Sequence, residues 1–273
     1  MKRNEKNGIV YYTFENLEGK GRGLITHAFS TRIGGISEGH FSSMNLGLRT
    51  NDDIKAVRQN YRLFCDALGF DMDNIVCADQ YHTTNIHKSI HAPDADFFSK
   101  RNLEHIDGHT TNVPGLTLVT YYADCVPLLF FDPVLKVIAN SHAGWRGSMH
   151  NIAAKTAAKM VNDYGCNTHD ILVGIGPSIS CKNFEVGPEV AEEFKCHLPS
   201  SAEFIYSSET KPDKYHIDLW EINRQNLIAS GLKPENIEIA GLCTYDDANE
   251  FYSHRRDGGL RGSLAAFISL NKF

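Results

Sequence analysis

Apolar positions along the chain change period several times, and each change marks an element. Residues 9 to 14 (Ile-Val-Tyr-Tyr-Thr-Phe) and 24 to 29 (Leu-Ile-Thr-His-Ala-Phe) are rich in β-branched and aromatic types around a Gly-Lys-Gly-Arg-Gly turn, which predicts a hairpin. A glycine- and serine-rich loop follows from Ser30 to Gly47. From Asp52 the period becomes helical, with Val57, Tyr61, Phe64 and Leu68 on one stripe and Gly69 as the stop. The middle of the chain predicts strands at 74 to 78, 85 to 90, 116 to 122, 126 to 131 and 135 to 141. Several of these are apolar on both faces, the mark of strands covered on both sides. A helix from about Ser148 carries Ile152, Thr156, Met160 and Tyr164 and ends at Gly165, and 171 to 175 returns as a strand. Helices near 187 to 196 and 217 to 230 then alternate with strands near 236 to 242 and 264 to 270.

Runs of strands mixed with helices predict an α/β, mixed α+β architecture: a compact sandwich whose mixed-direction sheet is covered by helices. With no internal repeat and no low-complexity linker, residues 1–273 read as a single domain.

Composition narrows the function. The chain is 42% hydrophobic, enough for a large core, and its net charge of -6 disfavours nucleic acid as a partner. No apolar run approaches the ~18 residues of a membrane span, and the Met-Lys-Arg-Asn-Glu-Lys start lacks the apolar core of a signal peptide. A cytoplasmic protein without membrane contact is expected. Seven scattered cysteines without a Cys-x-x-Cys pair suit reduced thiols better than a disulfide framework.

Three residues carry candidate chemistry: His82 in Ala-Asp-Gln-Tyr-His, Cys125 in Ala-Asp-Cys-Val-Pro, and His142 in Ser-His-Ala-Gly-Trp-Arg-Gly. Each sits where a strand gives way to a loop, and a return through Asp132-Pro133 would bring the ends bearing Cys125 and His142 together. Two imidazoles and a thiolate form a catalytic zinc set, because three protein ligands leave a fourth position for water or substrate. Chance adjacency is the plain alternative in a chain with 13 histidines and seven cysteines. After His142, Ala-Gly-Trp-Arg-Gly-Ser leads into a helix, so Arg146 is a phosphate or carboxylate candidate, or else pairs internally beside a core-filling Trp145. The basic turn Ser253 to Gly262 offers Arg255 to an anion or to solvent. The early loop offers Arg32, Ser43 and Asn45 as ligand groups or self-capping turn residues. Phosphate-loop, dinucleotide, nucleophile-elbow and ordinary deaminase signatures are absent, as is any His-x-His cluster for a multicopper centre.

Together these segments resemble the family of polyphenol oxidoreductase laccases and purine nucleoside phosphorylases, the bacterial relatives of the mammalian laccase-domain protein. The resemblance covers nearly the whole chain. It runs through His27-Ala-Phe-Ser-Thr-Arg32-Ile-Gly-Gly, Asn45-Leu-Gly, Gln80-Tyr-His82, Ala123-Asp-Cys125-Val-Pro-Leu, His142-Ala-Gly-Trp-Arg-Gly147, Gly174-Ile-Gly-Pro-Ser-Ile, Phe184-Glu-Val-Gly187, Cys243-Thr244 and Phe251-Tyr-Ser-His-Arg-Arg256. It implies a Zn2+ ion on His82, Cys125 and His142, and phosphorolysis of adenosine, inosine, guanosine or methylthioadenosine to base and ribose 1-phosphate, with adenosine deamination as a companion activity. A copper-dependent polyphenol oxidase and a peptidoglycan-precursor editing hydrolase are the alternatives that relatives suggest. Within that reading Arg146 positions phosphate with Arg32 or Arg255 as helpers. Gln80 sits at the substrate side of the metal motif, and Asp124 is a carboxylate behind the metal, a proton carrier or a turn cap. Two departures stand out. Where the family commonly has Thr-Gly-Arg, this chain reads Arg261-Gly262-Ser263, which argues against a ligand role for Arg261. Thr83 replaces the glycine that often follows Gln-x-His, a change expected to alter only the pocket rim.

Overall fold

The computed structural model describes residues 1–92, 97–98 and 103–272. Two six-stranded sheets dominate them. The first runs, edge to edge, Lys2–Lys6, Ile9–Thr13, Ile25–Ser30, Leu264–Leu270, Thr117–Tyr122 and Ile75–Val76. The second runs Ile237–Ile239, Leu172–Ile175, Val126–Asp132, Val137–Ala143, Gly108–Thr111 and Ile86–Lys88. Both mix antiparallel and parallel pairs, as the sequence pattern predicts: the first sheet has one parallel pair at an edge, the second a parallel pair at each edge. A small third sheet joins Glu185–Val186, Tyr215–Ile217 and Ile205–Ser207.

The side-chain alternation explains the layering. In the strand Val126–Asp132, Leu128 and Phe130 pack into a cluster with the helices Ile152–Tyr164 and Leu219–Ala229, through Ala153, Ala157, Met160, Ile222 and Leu227. Leu129 and Phe131, on the opposite face, meet Phe29, Leu118, Leu264 and Ile268 of the first sheet. A third cluster sets Val119, Ala265 and Phe267 of that sheet against Val57, Tyr61 and Phe64 of the helix Ile54–Leu68. The order is helix, sheet, sheet, helix, and the all-apolar strands are those shared between two clusters. Burying side chains such as Phe130 or Phe131 stabilises the fold by about 1.5–3 kcal/mol each before the entropy of ordering is counted.

Local signals set the helix ends. Asp53 accepts the amide of Lys55 at the start of Ile54–Leu68, and Gly69 closes it at φ 84°, a conformation glycine adopts without a Cβ penalty.

Two expectations need correction, and two strands escape the pattern. The segment after Ile9–Thr13 is a helix, Glu15–Gly21, because Leu17 is fully buried against the inter-sheet cluster and needs helical spacing to reach it. The flanking strands still pair antiparallel, through Tyr11 with Ser30 and Tyr12 with Phe29, but Ile25–Ser30 makes its longer ladder with Leu264–Leu270. The helix expected from Ser148 is two: Trp145–Met149, then Ile152–Tyr164, separated where Asn151 takes a left-handed φ of 62° and caps Ala154. The strands Lys2–Lys6 and Gly108–Thr111 carry too few apolar residues to show in the pattern.

Candidate metal centre

The hairpin of the second sheet builds the site. Val126–Asp132 and Val137–Ala143 pair antiparallel with Val126 opposite Ala143 and Pro127 opposite His142, so Cys125 at the start of one strand meets His142 at the end of the other. Asp132 shapes the turn, accepting the amides of Val134 and Leu135 through Oδ1. His82 arrives on a loop fixed by Gln80, whose side-chain amide donates to the Tyr121 carbonyl (3.0 Å) and accepts its N–H (2.7 Å). The ligand atoms of His82, Cys125 and His142 lie within 4.8 Å of one another. Cys125 Sγ is 3.7 Å from His82 Nε2, and the two imidazoles meet edge to face with centroids 4.8 Å apart. His142 is buried, Cys125 partly buried and His82 exposed, so the trio opens on one side.

Asp107, which sequence reasoning did not single out, organises the trio. Its fully buried carboxylate contacts His142 Nδ1 at 2.8 Å and accepts the amides of Tyr81, His82 and Thr83. The Asp107 carbonyl also accepts the His142 amide at 2.7 Å. A carboxylate on Nδ1–H fixes the tautomer that leaves Nε2 free to bind a metal, the usual support for a ligating histidine. The signal available was the expectation that such a carboxylate exists; nothing in Ile-Asp-Gly-His names this one. Thr83 is more than rim: its amide and hydroxyl both bond Asp107 Oδ2 at 2.7 Å.

The electrostatics follow from this wiring. Burial works against charge on Asp107, but the His142 ring and the Thr83 donors outweigh it and bring its pKa down to about 2. Burial would also raise the Cys125 thiol, yet the His142 and His82 imidazoles pull it down to about 6. His142, disfavoured as a cation by burial, is raised to about 9 by the Cys125 thiolate and Asp107. The sulfur is thus favoured in its metal-binding form. A Cβ on Gly144 would lie 2.5 Å from His82 Cδ2 and 3.2 Å from Cys125 Sγ, so only glycine leaves room for the trio to close. Two ring nitrogens, one thiolate and an open side suit a zinc ion. His82 and Asp124 hold left-handed φ values of 59° and 85°, strain that side chains other than glycine tolerate only under constraint.

A cavity of about 630 Å³ opens over the trio. Trp145, Ile179, Phe184, Val186, Val190 and Leu219 give it an apolar wall; Glu185, Glu189, Arg49, His254, Arg255 and Arg261 give it polar groups. Of the expected residues, Gln80, Asp124 and Arg255 line it together with the trio. Asp124 ties the C-terminal turn to the cysteine: it accepts Thr244 Oγ1, Ser253 Oγ and the Arg255 amide at 2.7, 3.0 and 2.7 Å. The structure does not bring Arg32, Ser43, Asn45 or Arg146 to the cavity wall. Arg32 donates to the carbonyls of Ser42 and Ala248, and Ser43 donates to the Arg32 carbonyl. Asn45 bonds Thr50, Asp52 and the amides of Gly47 and Ser263. Arg146 is exposed, its guanidinium 4.0 Å over the Trp145 ring. Arg261, set aside on its motif, is on the wall.

Strand ends carrying three donors that could hold a metal ion, beneath an open cavity, define a class of proteins with a candidate metal centre accessible to a small ligand. The chain belongs to the family described as multi-copper polyphenol oxidoreductase laccase, whose model matches residues 26–271. It is 35% identical to the purine nucleoside phosphorylase YlmD of Bacillus subtilis, over 91% of this chain and 89% of that one. It is 36% identical to a purine nucleoside phosphorylase of Bacteroides thetaiotaomicron, covering 91% and 92%. The crystal structure of the hypothetical protein YfiH from Bacillus licheniformis superposes with a TM-score of 0.89 at 33% identity, over 98% of this chain and 99% of that one.

Proposed function

We propose that this chain is a cytoplasmic, single-domain, zinc-dependent purine nucleoside phosphorylase. Adenosine, inosine, guanosine or methylthioadenosine would be cleaved by phosphate to the free base and ribose 1-phosphate, with adenosine deamination as a companion activity. The observation that carries this reading is the combination of an open His82, Cys125 and His142 donor set with an aromatic-walled cavity above it. The names of the relatives in Bacillus subtilis and Bacteroides thetaiotaomicron support the substrate class.

A bound zinc ion supplies Lewis acidity and can lower the pKa of a coordinated water to about 7, which deamination needs. The chain's own residues do the remainder. Trp145, Phe184 and Val186 bury a face of the base, and Glu189 accepts hydrogen bonds from ribose hydroxyls or base N–H groups. Asp107 and Thr83 keep His142 and the His82 loop in place, so that no reorganisation is needed as charge develops. The C1′–O bond to phosphate forms as the C1′–N9 bond breaks. The bonding pair leaves with the purine, and the proton of hydrogen phosphate ends on its ring.

The test is product analysis on purified, metal-quantified protein with inosine and adenosine. Hypoxanthine or adenine with ribose 1-phosphate, appearing only when phosphate is present, and about one zinc per chain are expected. Oxygen uptake on phenols with tightly bound copper would establish the polyphenol oxidase instead. Copper could enter this donor set readily, since imidazole and thiolate sites generally hold Cu²⁺ more tightly than Zn²⁺. Amide hydrolysis of peptidoglycan precursors without nucleoside turnover would establish the editing hydrolase.

A further inference from the structure

Among the described residues, three arginines line the cavity, and they differ in what their donors already hold. Arg49 is ion-paired with Asp79 and donates to the Tyr81 hydroxyl, beneath which its guanidinium stacks. Arg255 reaches across the mouth to the carbonyls of Asn183 and Glu185. Among the described residues, Arg261 donates only through Nη1, to the Gly262 carbonyl at 3.0 Å and to Ser263 Oγ at 2.8 Å. Its Nε is buried with no hydrogen-bond partner, and among the described residues it forms no ion pair. A guanidinium has five N–H donors, so most of this one's capacity is unused.

Leaving a largely buried cation without a counter-charge is costly, and the neighbouring carboxylate does not relieve it. Asp124 acts on Arg261 at a distance, but its oxygens already accept from Thr244, Ser253 and the Arg255 amide. The planar fork of arginine matches a tetrahedral oxyanion through two parallel N–H groups. The motif displacement explains how the charge gets there: an arginine two positions before Ser263 folds back onto that serine's hydroxyl through Nη1 and leaves Nε without a hydrogen-bond partner.

We propose that Arg261 is the anion clamp of the cavity and binds the inorganic phosphate co-substrate, an inference that rests on the phosphorolytic reading above. Arg146, the candidate from sequence, is exposed and stacked on Trp145, outside the cavity wall. Phosphate held by Arg261 shares a wall with Cys125 and therefore with the metal centre.

The experiment uses the metal-loaded full chain. In Arg261→Gln the KM for phosphate should rise by about ten- to a hundredfold, the loss expected of a charge-assisted bidentate pair. Nucleoside affinity measured without phosphate and the metal content should stay within about twofold, a split that general loosening of the site would not give. Arg261→Met keeps the aliphatic stem packed and carries the same test if the glutamine variant does not fold. Phosphate binding is also followed directly by phosphorus NMR titration, with no nucleoside present. Binding weakened in the variants supports the clamp even if the wild-type chain cleaves no nucleoside, in which case the phosphorolytic reading alone has failed. A phosphate affinity unchanged in either folded variant overturns the clamp. So does a variant that loses affinity for inosine 5′-monophosphate while keeping it for free phosphate, because the anion would then be the sugar's own.

Discussion

Two buried histidines, His27 and His142, lie in segments that look equally motif-rich in sequence, and they have opposite electrostatics. His27 opens the His27-to-Gly47 segment, where its Nε2 accepts the Phe14 amide at 2.8 Å and burial pushes its pKa down to about 4. His142 faces Cys125 and Asp107 and is raised to about 9. The same contrast runs through their neighbours. Around His27 the polar groups are consumed by the fold: Arg32 on two carbonyls, Asn45 on four partners, Ser43 between Arg32 and Gly35. Around His142 the same kinds of residue are wired from behind and left open in front. A motif is therefore available to a ligand where its donors remain unspent on the cavity side.

The largest effect should come from breaking the open side. Cys125→Ala removes the thiolate that a divalent ion needs, and we expect loss of bound metal together with a fall in nucleoside phosphorolysis on the order of 10³-fold. Plasma emission for metal and a coupled base-release assay measure both. Because Cys125 bears no backbone ladder role, its melting curve under metal-free conditions should match the metal-free wild type.

His27 tests the closed side through acid. Its folded pKa of about 4 lies below the ~6.5 of an unfolded histidine, so the unfolded chain binds more protons between those values. The stabilisation is complete above pH 6.5 and is lost as pH falls toward 4, by about 3 kcal/mol in total. His109, lowered to about 3 by burial, adds a loss of the same sign. Urea denaturation at pH 7 and pH 4.5 should therefore show falling stability, with a smaller difference in His27→Gln, which keeps an acceptor and does not titrate. An identical pH slope in that variant would remove His27 from the account.

Asp107 sits behind the open side, and Asp107→Asn should sharpen the comparison without destroying the site. An amide can still touch Nδ1 but no longer fixes the tautomer or holds charge. Metal affinity and activity are expected to fall by about 10- to 100-fold. Competition with a zinc chelator reads the affinity, and full activity restored by excess zinc would show that orientation of the ligands survives.

Much of this architecture was legible because burial on both faces leaves a mark that period alone can reveal. Phe130 and Phe131 sit in different clusters, so their strand has to be apolar on both faces from Val126 to Phe131. The trio was legible because each of its residues falls where a strand gives way to a loop, inside the motifs that carry the family resemblance. What stayed hidden had its cause in long-range contact. Asp107 is 35 positions from His142, and its meaning arises only when Gly108–Thr111 pairs with Val137–Ala143. Arg261 misled by its place in a motif, whereas its function depends on where the guanidinium folds. The helix Glu15–Gly21 stays hidden because the Gly-Lys-Gly-Arg-Gly run at 19–23 reads as a turn, whereas the burial of Leu17 decides the matter.

Ser43 gives the smallest effect and the finest version of the contrast. Its hydroxyl donates to the Arg32 carbonyl at 2.8 Å and accepts the Gly35 amide at 3.2 Å, so it cross-links the two arms of the early loop. Gly35 has no side chain because a Cβ there would lie 2.2 Å from the Ser43 carbonyl, which keeps those arms in register. Ser43→Ala removes both hydrogen bonds while leaving the backbone contact, and partial exposure lets water replace some of what is lost. The expected cost is about 1 kcal/mol, a drop of a few degrees in melting temperature, with kcat/KM unchanged within about twofold. If the variant instead loses phosphorolysis at unchanged stability, Ser43 is a substrate ligand, and the division between spent and unspent donors fails at this loop.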